Sequence, residues 1–479
     1  MTNASGLPAP STRRDITPQG SGDASVSLGA WRLARLLWIR CQLATHDRWP
    51  RSKLLRHQAS ALHDLRAHAC ATSRFYQKFH SGLASAPLTD LPVLTKQTLM
   101  AQWDDVVTDP AVTLGEIRAF IGQLDTPRLF GNEYVASTTS GSTGLKGVFA
   151  FNRDEWLWGI ASHGRATTWA GARIGPLHRQ RMAIVSSVKP WCKSLLVGAS
   201  VDTAILPTLR LDSTESLHVL VERLNVFQPD ILVAYAETAN ALALRQMAGE
   251  LRIAPRMVFA SSEVFTDTAR KRIATAWGTE PFNAYAATEA ALIAADCAHH
   301  RLHLSEDLLI VEVVDRNNKP VPVGTYGEKV LVTVLFSRTV PLIRYELSDR
   351  VALADLPAPC ACGKPFAVLA GIQGRVEDTV FLTGANGAQV AIEPDVFHDV
   401  LEPAPADGWQ VVQETGTDVT VSIVGPQPGF DASALGEKLR LRLRSQGASV
   451  PVVHVRVVEK LRQSQTGKTP LVQALKQAQ

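Results

Sequence analysis

An α/β architecture is predicted. It consists of a large N-terminal domain of mixed, substantially parallel sheets and helices, followed by a small, mobile α+β C-terminal domain. Three observations carry this. The chain has 479 residues, more than one hydrophobic core covers. Strand-length apolar runs alternate with helical patterns through its middle. Past residue 374 the pattern changes to short strands around a single helix.

The elements follow in order. Residues 1–27 are rich in Ser, Pro, Gly and Thr and are expected to be disordered. They contain no apolar stretch of the kind an export signal needs. Leu28–Leu43 is apolar but carries Arg32, Arg35 and Arg40, which suits a docking helix better than a membrane span. Strands are predicted at Met182–Val185, Ile231–Ala234 and Met257–Ala260, alternating with helices at Ser213–Asn225, Glu237–Met247 and Asp267–Trp277. Strands then dominate, at Leu308–Val314 and Lys329–Leu335. The large domain is assigned to residues 28–373 and the small one to 374–479, with the boundary at Gly371-Ile372-Gln373-Gly374-Arg375. In the small domain Val411–Gln413, Val419–Val424 and Val452–Val458 read as strands and Ser433–Arg444 as a helix.

Composition narrows the function. The chain is 46% hydrophobic and 20% charged, with a formal net charge of +4 and no basic tract, so nucleic acid is not expected as a partner. No run approaches membrane-spanning length, and none of the 6 cysteines accompanies an export signal. A cytoplasmic protein with reduced thiols is expected.

The most informative stretch is Thr139-Ser140-Gly141-Ser142-Thr143-Gly144-Leu145-Lys146-Gly147. Its glycines allow a tight loop that presents N–H groups to an anion, and its hydroxyls add donors. No Gly-Lys-Ser/Thr closes it, so it is not a Walker loop, and alone it reads equally as a polar turn. Three further segments follow downstream. Tyr285-Ala286-Ala287-Thr288-Glu289 places an aromatic ring, a hydroxyl and a carboxylate together, suited to a base, a phosphate and magnesium. Arg344–Asp349 ends on a carboxylate able to accept from both ribose hydroxyls, and Gly374-Arg375 follows at the domain boundary. Gln465-Thr466-Gly467-Lys468-Thr469 sets a lysine on a glycine turn near the end of the chain.

In this order the segments resemble the adenylate-forming superfamily of acyl-CoA synthetases, adenylation modules and luciferases, most closely its phenylacetate–CoA ligase-like branch. The resemblance runs from about Leu54 to the C-terminus. It is strengthened by Arg74-Phe75-Tyr76, Leu91-Pro92-Val93-Leu94-Thr95-Lys96, Leu302–Asp307, Pro341–Tyr345 and Cys360-Ala361-Cys362-Gly363. It departs from the family pattern at Lys146 (a proline's place), at Ala286 (a glycine's), at Glu377 and in the loop Thr383–Gly387.

The resemblance implies an ATP-dependent, AMP-forming acid–thiol ligase. A carboxylic acid becomes an acyl-adenylate and is passed to a thiol, with coenzyme A the leading acceptor and a carrier-protein thiol or an amine the alternative. A retired nucleotide-binding regulatory protein is the non-enzyme alternative. By resemblance, Ser140, Gly141, Ser142, Thr143 and Gly144 cradle the ATP phosphates, Thr288 contacts the α-phosphate and Glu289 holds Mg2+. Tyr285 stacks on adenine, Glu263 lines the base, and Asp349 binds the ribose with Arg375 close by. Lys468 bridges the attacking carboxylate and the α-phosphate, and the small domain turns about Glu377 or Asp378. A homodimer is compatible with this reading.

Cys297, His303, Cys360 and Cys362 form a Cys3His set fit for tetrahedral Zn2+, with His299 and His300 as competing ligands. Members of the branch carry a structural zinc at matching positions. The acyl pocket is expected between Val188–Trp191, Ala234–Glu237 and the stretch before Tyr285, where Trp191 and Tyr235 favour an apolar or aromatic acid and Lys189 can pair with a second anion.

Overall fold

A computed structural model describes residues 26, 28–139, 145–356, 358–449 and 451–475. The N-terminal segment expected to be disordered therefore lies outside the described residues, apart from Val26. Nine strands form the main sheet, in the order 349–353, 368–375, 302–304, 291–296, 282–287, 257–261, 231–235, 182–186, 208–212. The strands from Phe282–Ala287 to Thr208–Asp212 run parallel, and the others join antiparallel.

The parallel half has the pattern expected of strands buried on both faces. Ala183, Val185, Leu232, Ala234 and Val258 pack under the helices Leu217–Phe227, Ala236–Met247 and Asp267–Trp277. Met182, Ile184, Ile231 and Phe259 face the other way, toward Ala166 and Trp169 of the helix Arg153–Trp169. That helix begins at a capping box formed by Asn152 and Glu155. One helix differs from expectation. The segment predicted from Ser213 begins at Leu217, because the Ser216 side chain accepts from Val219 N–H and caps it there.

The N-terminal helix Ala30–His46 packs along Arg153–Trp169. A buried ion network anchors its end. Arg165 lies 2.6 Å from both Asp47 and Asp307, and His46 lies 2.7 Å from Asp307. Burial alone would raise the Asp307 pKa, but Arg165 and His46 outweigh it and hold the carboxyl down at about 2.

A second, three-stranded antiparallel sheet runs 309–314, 329–334, 345–347. The main sheet continues through the expected boundary to Arg375, and a turn at Val376–Asp378 leads to the hairpin Val380–Thr383/Gln389–Ile392. The rest of the C-terminal part is a four-stranded sheet, 452–457, 418–426, 406–413, 472–473. The helices Pro394–Leu401 and Ala432–Ser445 share its core.

The C-terminal part is docked on the large one. Arg272 donates to the carbonyls of Asp407 at 2.7 Å and Ala406 at 3.2 Å, and Gln463 donates to the Ser213 carbonyl at 3.3 Å.

Candidate active site

The parallel strands end on one side of the sheet, and the chemistry-bearing segments converge there. Asp349 and Arg375 are cross-strand partners in the antiparallel pair 349–353/368–375, which places their side chains together. Arg375 Nε lies 3.5 Å from Asp349 Oδ1, and the Tyr285 hydroxyl donates to Asp349 Oδ2 at 2.8 Å. A cluster of phenol, carboxylate and guanidinium is thus assembled from residues distant in the sequence.

Thr288 and Glu289 follow at the end of the strand Phe282–Ala287. Glu289 is buried, and Tyr345 OH donates to its Oε1 at 3.5 Å. That is the only side-chain bond to the Glu289 carboxylate among the described residues. Its remaining lone pairs suit a hard cation that takes few protein ligands and keeps its waters, so the position fits Mg2+.

Lys468 arrives from the C-terminal part on a tight turn. Gly467 N–H donates to the Ser464 carbonyl at 2.9 Å, and Ser464 N–H to the Lys468 carbonyl at 2.8 Å. Gly467 has φ +75°, and a Cβ there would lie 2.0 Å from Ser213 Oγ, so only glycine lets the turn approach the large domain this closely. Burial and then the Arg375 charge push the Lys468 ammonium down to about 8, against the pull of Glu263.

Glu263 stands at the junction. Its Oε2 accepts from Glu237 N–H at 3.0 Å in the first turn of the helix Ala236–Met247, and its Oε1 accepts from Thr469 N–H. Burial pushes this carboxyl up to about 7.

Lys468, Thr288, Glu289, Tyr285, Asp349 and Arg375 all line one cavity of about 920 Å³, with Glu263 at its wall. Ser140, Gly141, Ser142, Thr143 and Gly144 lie outside the described residues. The base of their loop is closed by Thr139 N–H to the Gly147 carbonyl at 2.9 Å and Gly147 N–H to Thr139 Oγ1 at 2.8 Å.

The same cavity contains two residues that sequence reasoning did not single out. Lys193, the first residue of the helix Lys193–Val201, donates to the Thr288 carbonyl at 2.8 Å. Burial pushes its amine down to about 7, opposed by Glu289. His163 lies in the same wall, and its Nε2 is buried without a hydrogen-bond partner. Neither sits in a recognisable motif; only the fold turns them toward the cavity. The residues expected to form an acyl pocket are only partly brought together. Tyr235 and Ala284 line the cavity, but Trp191 packs against the main core instead, and Lys189 is not in the cavity wall.

A second cluster lies outside the lining of this cavity. Cys297, His303, Cys360 and Cys362 bring one ligand atom each within 4.8 Å of one another. Cys297 Sγ and Cys360 Sγ are 3.8 Å apart, and Cys362 Sγ is 3.2 Å from His303 Nε2. Tetrahedral zinc–thiolate bonds of about 2.3 Å place sulfurs about 3.8 Å apart, so the set fits zinc. His303 Nδ1 faces the Phe366 carbonyl at 3.0 Å, which fixes the tautomer and leaves Nε2 for a metal. Of the competing ligands, His300 stacks on Phe282 instead. His299 takes no part through its ring, although its N–H donates to Cys297 Sγ at 3.4 Å.

No family profile matches the chain. Protein CapK of Staphylococcus aureus is 24% identical over 260 residues, 51% of this chain and 54% of CapK. The chain thus spans about half the length of that curated relative. Among solved structures, a 2-hydroxyisobutyryl-CoA ligase in the postadenylation state with 2-HIB-AMP superposes with a TM-score of 0.68 at 16% identity, covering 94% of this chain and 93% of that one. The same ligase in its thioesterification state, with 2-HIB-AMP and CoA, gives 0.56 at 18% identity, covering 90% and 91%. At these identities the likeness is one of fold. The chain shares the fold of that CoA ligase along nearly its whole length. No helix among the described residues is long and apolar enough to cross a membrane.

Proposed function

We propose that the chain activates a carboxylic acid with ATP as an acyl-adenylate and passes the acyl group to coenzyme A. The observation that carries this reading is the meeting of Lys468, from the C-terminal domain, with Thr288–Glu289 and the Tyr285–Asp349–Arg375 cluster in one cavity.

In the first step a carboxylate oxygen bonds to the α-phosphorus of ATP, and the bond from that phosphorus to the pyrophosphate oxygen breaks. Two anions must meet, so positioning and charge neutralisation dominate. Asp349 receives the ribose hydroxyls, with Arg375 holding its carboxylate in place. Tyr285 presents its ring to adenine. Thr288 donates to the α-phosphate, and Lys468 bridges that phosphate and the incoming carboxylate as a point charge. Glu289 would hold Mg2+, which neutralises phosphate charge when bound. In the second step the thiol sulfur attacks the acyl carbon, the bond to AMP breaks, and the thiol proton leaves to solvent.

Lys468 belongs to the small domain, so that domain is closed for the first step and turns about Glu377–Asp378 for the second. The docked arrangement here fits the first step, in keeping with the better superposition on the postadenylation state. The Cys297–His303–Cys360–Cys362 set would hold a structural zinc, and the Cys360-x-Cys362 segment supports a phenylacetate–CoA ligase-like subtype.

Pyrophosphate release measured across a panel of carboxylic acids, followed by mass spectrometry of the products with and without coenzyme A, tests the reading. Pyrophosphate release without an acyl-CoA product would remove the thiol step. No release with any acid would remove the reading altogether.

A further inference from the structure

The cavity does not end at the nucleotide. Beyond Thr288 and Lys193 it continues as an arm between the main sheet and the helices that cover it. Its floor is the sheet face carrying Ile184, Val233 and Phe259, and Met182 marks its far end. Its roof is Ile160 and Ala166 of the helix Arg153–Trp169 with Val197 of Lys193–Val201. Leu206, Ile174 and Leu36 of the N-terminal helix line the outer end, where Arg40 donates to Thr168 at 3.3 Å.

The depth of the arm follows from the strand register. Met182 pairs with Ile231, so it lies level with a point four residues before Tyr235, which sits at the nucleotide end. Four strand steps make about 13 Å. A zigzag chain of about ten carbons, with bonds near 1.5 Å, covers that length. Among the described residues the floor and roof of the arm are mostly aliphatic, with Phe259 the one aromatic ring on its floor.

We propose that the acid activated at this site is a straight-chain aliphatic one of about ten carbons or more, its tail lying along the Met182–Ile184–Val233–Phe259 face and its carboxylate beside Lys193 and Lys468. The proposal rests on the adenylating reading above and deepens it. His163 is compatible with an apolar tail, because burial pushes its imidazole down to about 3 and keeps it neutral. Lys193 ends the apolar stretch and provides the positive field that a carboxylate head requires.

The test combines binding and turnover on the full chain. Equilibrium dialysis with radiolabelled decanoate, without ATP, reads binding. Pyrophosphate release with hexanoate, decanoate, tetradecanoate and phenylacetate reads turnover. Each buried methylene contributes about a fourfold gain in affinity, so decanoate is expected to exceed hexanoate in kcat/KM on the order of a hundredfold. Ile184→Trp, which blocks the middle of the arm, lowers turnover of decanoate at least tenfold and leaves hexanoate within a few-fold, which also shows that the variant is folded. Leu206→Trp, at the outer end, acts on tetradecanoate more than on decanoate.

Decanoate bound without pyrophosphate release would sink the adenylating reading and leave the tail site standing. Pyrophosphate release confined to hexanoate or phenylacetate would overturn the tail site and leave adenylation standing. An Ile184→Trp variant that handles decanoate as well as the parent would overturn it too, as would decanoate that is neither bound nor turned over.

Discussion

The main-chain N–H of Thr469 donates to the carboxylate of Glu263, one residue past the lysine that the C-terminal domain delivers. The other oxygen of that carboxylate holds Glu237 N–H at 3.0 Å. Glu263 thus joins the first turn of a large-domain helix to the Lys468 turn, and the placement of Lys468 depends on it. Glu263→Gln replaces one acceptor with an amide NH2 that must face an N–H. A hydrogen bond to a charged group contributes about 1.5–3 kcal/mol, so single-turnover adenylate formation is expected to fall on the order of tenfold to a hundredfold. Thioester formation from supplied acyl-adenylate stays near the parent rate, because it uses the other domain orientation. Equal losses in both steps would show that Glu263 merely supports the fold.

On the adenylating reading, Lys468→Ala removes a charge that faces the transferring phosphoryl group. Removing a single preorganised group of this kind costs about 10²–10³ in kcat. Pyrophosphate release is expected to fall by at least that factor, while calorimetric titration with a non-hydrolysable ATP analogue shows affinity within a few-fold of the parent. Turnover that survives the substitution would place the essential cation elsewhere, with Lys193 the next candidate.

The same two residues set a pH profile. Burial raises the Glu263 carboxyl to about 7, against its bonds to Glu237 and Thr469 N–H and the Lys468 charge. Burial, then Arg375, lowers Lys468 to about 8. The working form has Glu263 ionised and Lys468 protonated. As pH falls through about 7, Glu263 takes up a proton and loses an acceptor; as pH rises through about 8, Lys468 loses its charge. The kcat/KM for ATP should therefore be bell-shaped with its maximum between these values. Glu263→Gln cannot ionise, so its profile is expected to lose the acid limb and keep the alkaline one. An acid limb unchanged in that variant would assign it to another group.

Much of this site was legible in the sequence. Thr288–Glu289 and Gly467–Lys468 declare themselves, because close spacing of a hydroxyl, a carboxylate and a lysine on a glycine turn is itself a chemical signal. The alternation of strands and helices from Met182 to Trp277 was equally clear, since strands buried on both faces are apolar throughout. Lys193, His163 and the apolar arm were not legible. Their significance comes from which way the fold turns ordinary positions: Ile184 and Val185 look alike in sequence, yet one lines the cavity and the other the opposite core. Trp191 misled for the same reason. Its aromatic ring suggested a substrate pocket, but its backbone path packs it against the main core.

Purified protein is expected to contain about one zinc per chain by elemental analysis. The candidate cysteine and histidine ligands come from the end of the strand Ala291–Asp296, the strand Leu302–Leu304 and the loop carrying Cys360 and Cys362, so a metal held there would tie the loop to the sheet. Cys360→Ser is expected to lower the thermal midpoint by several degrees and to shed zinc, with pyrophosphate release by the folded fraction near the parent value. Zinc-free protein from a chelator-free preparation would remove the site.

The turn Val376–Asp378 is the expected pivot of the small domain. The chain leaves the main sheet at Arg375 and enters the C-terminal hairpin at Val380, so the residues between them carry any rotation of the small domain. In the docked arrangement the turn is a 3₁₀ helix. Val376 N–H donates to the Ser348 carbonyl at 2.9 Å, and Thr379 N–H to the Val376 carbonyl at 3.1 Å. The φ of a 3₁₀ helix lies within the range that proline imposes. Glu377→Pro is thus compatible with the docked arrangement at residue 377 itself and resists leaving it. Proline also disfavours the helical conformation of the residue before it, here Val376, so adenylation loses a few-fold. Thioester formation, which needs the turned domain, loses far more, on the order of a hundredfold. Single-turnover measurements of the two half-reactions read this asymmetry directly. Equal slowing of both steps, or of neither, would move the pivot away from Glu377.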